Sequence, residues 1–254
     1  MVLLILALGW AAGAFVNYIA DVMPRKRTLV RPFCLACGHV QEWTNYILWP
    51  RKCRHCGHHR MWRTWMVELT AIGLTTWLWL NPPVELGFLA SLIILVYFAI
   101  VVVIDIENHL ILHPISLAGG VIGLAVGSWQ HGLWESLLGA VFGFGLIFVL
   151  YLLGALFVRY VIRRRQHNFT EEALGFGDVI LGMVLGLFLG WPAILMGLFL
   201  AIIFAGVVSL GYLVVSALTR RYRAFSFIPY GPFLIAGATA LLFFKEFILM
   251  ILRR

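Results

Sequence analysis

The chain has 254 residues, of which 62% are apolar and only 12% charged, and its mean hydropathy is +0.96. Soluble domains carry about 25% charged residues, so the composition excludes an ordinary soluble enzyme and points to an integral membrane protein in a lipid bilayer. A net charge of +8 would suit nucleic acid or an anionic surface, but the basic residues cluster beside apolar runs, which argues for membrane topology and against nucleic acid.

A membrane-crossing helix needs roughly 20 apolar residues. In chain order the apolar runs between polar breaks predict eight such segments, at residues 2–23, 62–80, 86–105, 114–129, 132–158, 178–190, 192–217 and 230–252. The fourth and sixth are short for a full crossing. The expected fold class is therefore an all-α polytopic membrane protein of about eight transmembrane helices, with a small zinc-ribbon-like insert between the first two. The domain reading is a first helix at 1–23, a four-cysteine insert at 24–61, and a seven-helix membrane domain at 62–254.

The first segment has no basic residue before its apolar run and many after it. That is the charge order of an uncleaved anchor with an outside N-terminus. Nine basic residues lie from Arg25 to Arg63, four from Arg159 to Arg165, and three at Arg220, Arg221 and Arg223. With the N-terminus outside, sixteen of the nineteen become cytoplasmic, as basic loops prefer. Lys245, Arg253 and Arg254 run against this topology.

The insert contains all four cysteines, as Cys34-x2-Cys37, fifteen residues, then Cys53-x2-Cys56. Paired C-x2-C knuckles at this spacing are the pattern of a structural zinc site. Two disulfides or an iron centre are the alternatives; disulfides are rare in a reducing cytoplasm, and no redox partner suggests iron. Four cysteines close the coordination sphere, so zinc would be structural, holding a segment too short to fold on apolar burial alone. His39, His55, His58 and His59 are read as solvated residues of a basic loop, or else as replacement ligands.

Asp105 closes the third segment after Val101-Val102-Val103-Ile104, and Asp178 opens the sixth within Gly175-Phe176-Gly177-Asp178. The topology puts both at the cytoplasmic membrane face, although they are 73 positions apart. Ionisable residues near hydrocarbon are costly and suggest function. Two close carboxylates do not both ionise readily, so one can accept a proton from water while its protonated partner polarises a peptide carbonyl. Gly175 and Gly177 would let a substrate backbone approach. Against this, Asp178 could simply begin its helix and Asp105 could be a solvated helix end. Glu107, Glu171 and Glu172 lie on the same side and read as loop acids. Neither H-E-x-x-H nor G-x-S-x-G is present.

With these residues in view, Gly175–Asp178 resembles the GxGD signature of intramembrane aspartic proteases. Joined to the double C-x2-C insert, the chain resembles the bacterial type IV prepilin peptidases. "GAFVNYIADVMPRK" (13–26), "RTWMVELT" (63–70) and "IPYGPFLIAG" (228–237) resemble further family segments. The resemblance implies an eight-span aspartic endopeptidase of the bacterial inner membrane, with Asp105 and Asp178 catalytic. It implies type IV prepilins or pseudopilins as substrates, cut on the cytoplasmic side between a short basic leader and a hydrophobic helix. It also implies methylation of the new N-terminus by S-adenosylmethionine, with Glu68 a candidate for that site by motif match. The chain departs from the pattern at Ile180, where lysine is common, and at His113 and Ile115 around Pro114. A peptidase without methyl transfer is the nearest alternative. A proton-coupled transporter is more distant, because its acids would lie near mid-membrane.

Overall fold

The computed structural model describes residues 1–48, 51–60, 62–165, 175–219 and 229–252. Glu171, Glu172 and the basic cluster Arg220–Arg223 lie outside the described residues. Each predicted apolar segment is a helix, as expected of a backbone that must satisfy its own hydrogen bonds in lipid. Among the described residues, four helices are long and apolar enough to cross a membrane: Val2–Lys26, Gly87–Asn108, Leu133–Phe157 and Ala193–Leu218.

Met1–Asn108 forms one compact unit and His109–Arg254 a second. The first contains α1 (Val2–Lys26), a one-turn α2 (Trp43–Ile47), α3 (Arg63–Leu80) and α4 (Gly87–Asn108). α1 and α3 pack along their length because Gly9 and Gly13 face α3. A Cβ on either would stand 2.7 Å from the Cα of Ile72 or Glu68. α1 ends where Arg27 turns left-handed and returns its N–H to Met23 at 3.0 Å. The chain then enters the insert, where two short antiparallel bridges, Phe33 with Val40 and Lys52 with His59, frame the cysteine knuckles.

The second unit contains α5 (His113–His131), α6 (Leu133–Arg165), α7 (Phe176–Leu189), α8 (Ala193–Leu218) and α9 (Gly231–Leu252). Pro114 in the first turn of α5 removes an N–H that would have had no helical partner anyway. α7 is the hub and packs on α5, α6, α8 and α9. Val179, Leu181, Val184, Leu185 and Phe188 are all buried, and a helix apolar on every side is a core element. Its 14 residues rise about 21 Å, less than the roughly 30 Å hydrocarbon layer. The α6–α7 contact runs backbone to backbone: a Cβ on Gly186 would collide with the Gly139 carbonyl, and one on Gly182 would lie 2.8 Å from Ile147. Small residues at such contacts are the usual means of bringing membrane helices together.

Candidate functional site

The two cysteine knuckles are built alike. Cys34 N–H donates to His39 O at 2.8 Å and Gly38 N–H to Cys34 O at 2.8 Å; Cys53 N–H donates to His58 O at 3.0 Å and Gly57 N–H to Cys53 O at 2.9 Å. Gly38 and Gly57 both hold φ at +72°, a conformation that favours glycine at the turn. The four sulfurs lie within 4.8 Å of one another, with Cys34–Cys56 at 3.6 Å and Cys37–Cys53 at 3.8 Å. All four are free thiols. The separations match the edge of about 3.8 Å expected for a tetrahedron with Zn–S near 2.3 Å and are far from a disulfide. The donor set therefore fits zinc. The backbone N–H of Cys56, helped by that of His55, lowers the Cys53 thiol to about 6 against the effect of burial. His39 and His55 stack on each other, centroids 5.1 Å apart.

Charged side chains fasten the insert to its helices. Asp21, on the buried side of α1, accepts hydrogen bonds from Arg60 and Arg63 and, at 2.6 Å, from the Tyr46 hydroxyl. Arg63 continues to Glu107 at 2.7 Å. The Arg60 guanidinium lies 3.8 Å above the Tyr46 ring, and burial, then the Asp21 charge, pushes the Tyr46 phenol up. A second pair joins Arg51 to Glu68 at 2.9 Å, with both side chains buried and Arg51 packed on Trp65. Glu68, the candidate for methyl transfer by motif match, pairs with Arg51.

Asp105 is buried near the end of α4, in the first unit. Asp178 belongs to the second and is the third residue of α7, also buried. The Asp178 carboxylate accepts the Gly175 N–H at 3.2 Å, and its own N–H donates to Gly175 O at 3.0 Å. This satisfies an otherwise unpaired amide at the helix start. Gly177 makes room for Ile111, whose Cβ would lie 2.8 Å from an added Cβ. Gly175 is more open: a Cβ there would meet only the Asp178 carboxylate at 3.6 Å and the Gly177 nitrogen at 3.9 Å.

Two features went unread in the sequence. Asp21 is the only charged residue in the segment 2–23, and that isolation was the available signal. Tyr230, just before α9, lies within electrostatic reach of Asp178, and α9 packs on α7.

Two family models match in succession. The Bacterial Peptidase A24 N-terminal domain covers residues 7–81, including the four cysteines. The Type IV leader peptidase family covers residues 92–210, including Asp105 and Asp178. Similar curated proteins are prepilin leader peptidase/N-methyltransferases. That of Myxococcus xanthus is 29% identical over 203 residues, which is 74% of this chain and 56% of the relative. That of Burkholderia pseudomallei is 29% identical over 232 residues, 88% of this chain and 71% of the relative. That of Aeromonas hydrophila is 27% identical over 232 residues, 87% and 74% respectively. The chain therefore spans just over half the length of the Myxococcus relative. No solved structure matches. Consecutive family matches over both its four-cysteine and its carboxylate-bearing segments make the chain similar to the bacterial type IV leader peptidases along most of its length.

Proposed function

We propose that the chain is a membrane-embedded aspartic endopeptidase that removes the leader from type IV prepilins or pseudopilins and methylates the amine so exposed. The observation that carries this reading is the pair of buried aspartates, Asp105 and Asp178, within the segment matched by the leader peptidase family. In this reading the ionised carboxyl takes a proton from water, which attacks the scissile carbonyl, while the protonated carboxyl donates to the carbonyl oxygen. Collapse of the tetrahedral intermediate expels the amine, which takes up a proton. Gly175 gives the substrate backbone access beside Asp178. The names of the similar proteins, prepilin leader peptidase/N-methyltransferases, support the methylation, with S-adenosylmethionine as the proposed methyl donor.

In the proposed topology all eight apolar helices cross the bacterial inner membrane. The N-terminus is outside, with the zinc insert, the end of α4 and the start of α7 on the cytoplasmic face. Zinc is structural there. Prepilin cleavage in detergent, with the mature N-terminus analysed by mass, tests the function. Asp105→Asn and Asp178→Asn should each lower cleavage at least about 100-fold, the scale of a lost general acid or base. Normal cleavage by either variant would sink the dyad. A cut without a gain of one methyl would leave a peptidase alone.

A further inference from the structure

Asp105 stands in the last turn of α4, which ends at Asn108. A helix end leaves its final four carbonyls without helical partners, so a carboxyl placed there needs its turn held from outside the helix ladder. One support is local: the Asn108 side-chain amide donates to Ile104 O at 3.3 Å. A second comes from α3, where Arg63 donates to the Glu107 carboxylate at 2.7 Å.

This pairing runs against the local electrostatics of both helices. The last turn of α4 contains Asp105 and Glu107 and no basic residue, although a helix C-terminus disfavours negative charge. Arg63 is the first residue of α3, whose first turn has no acid, although a helix N-terminus disfavours positive charge. The two misplaced charges compensate each other across the helices. Local rules broken in this way are expected at functional sites.

The anchor behind the pair is firm. The other arm of the Arg63 guanidinium donates to Asp21, whose side chain is only 2% exposed. Asp21 is held in turn by Arg60 and the Tyr46 hydroxyl. A guanidinium presents its donors as a rigid fork, which an ammonium lacks, so Arg63 carries a fixed point on α1 to the end of α4. Residues two apart on a helix lie about 200° apart, which puts Glu107 on another side of α4 from Asp105. The hold on Glu107 therefore reaches Asp105 through the backbone of the turn.

We propose that Arg63, through Glu107, is a positioning residue for Asp105: it fixes the last turn of α4 in the place from which the carboxyl acts. The proposal rests on the peptidase half of the function proposed above, and neither Arg63 nor Glu107 takes part in its proton transfers.

The test uses the full chain in detergent with a prepilin substrate. Glu107→Ala removes the clasp at a partly exposed helix end and leaves no core cavity. It should lower kcat about 10-fold or more, since an ångström of misplacement can cost about 100-fold. KM, thermal midpoint and metal content should stay those of the wild type. Glu107→Gln, which keeps an oxygen for Arg63, should recover most of the loss. Arg63→Lys should lose as much as Glu107→Ala, because one ammonium lacks the fork that spans both carboxylates. The double variant should lose no more than either alone, as residues acting through one contact do. Hydrogen exchange in Glu107→Ala should quicken at residues 104–109 and stay slow in the rest of α4. A wild-type kcat in Glu107→Ala, multiplied losses in the double variant, or unaltered exchange at the end of α4 would each overturn the positioning role. With a wild type that cuts prepilin, those results fail the positioning role alone. Should the wild type cut no prepilin, the peptidase reading fails and the positioning role with it.

Discussion

The two units of this protein solve helix packing by different means. In the first, water-facing chemistry supplements the glycine contact of α1 with α3: a four-cysteine cluster, the buried Arg51–Glu68 pair and the Asp21–Arg60–Arg63–Glu107 network. In the second, α7 is held by close backbone approach, through Gly139, Gly143, Gly182 and Gly186. The difference follows the solvent. Where an insert meets the aqueous face, apolar burial is scarce and charges can be matched. Within lipid, association depends on close packing and few polar contacts.

Removing the zinc proposed for the four-cysteine cluster should sharpen that contrast most. Structural zinc sites supply about 10–16 kcal/mol of apparent binding energy in isolated fingers. Chelation, or Cys34→Ser with Cys37→Ser, should therefore unfold the insert. Hydrogen exchange should accelerate at both knuckles and stay slow in α7; fast exchange in α7 would break the comparison. Next in size, Asp21→Ala deprives two largely buried arginines of their carboxylate. Loss of one partner of a buried pair costs about 3–5 kcal/mol, readable as a fall in thermal midpoint. A midpoint within error of the wild type would show the network to be dispensable.

In the second unit the next response belongs to Gly186→Ala, whose new methyl would strike the Gly139 carbonyl. Overpacking of this kind costs about 1–3 kcal/mol, again as a lowered midpoint. The smallest effect is reserved for Gly145, where a Cβ meets nothing within 4 Å. Gly145→Ala should be neutral or stabilise by under about 1 kcal/mol, the helix-propensity gain. Equal losses at Gly145 and Gly186 would show that backbone proximity is not what holds α6 to α7.

Much of this was legible beforehand. Apolar runs announced the helices because lipid leaves the backbone no other option, and the C-x2-C spacing announced the thiol cluster that the fold assembles. The five-residue α2 carries too short a pattern to be read. The network around Asp21 joins residues 25 to 42 positions apart, and linear patterning is blind to such pairings. Gly177 illustrates a subtler limit. Its place beside Asp178 suggests access for a substrate, and the side chain packed against it is Ile111, from a connection whose path no local motif specifies.

Arg51 stands two residues before Cys53, in a left-handed turn at φ +50°, and its guanidinium is buried on α3. The second knuckle and the third helix therefore share a fastening. With zinc as the proposed metal, a chain starved of it is expected to lose the hold of Arg51 on Glu68 along with the second knuckle. The metal would then fasten a membrane helix as well as the loop that carries it.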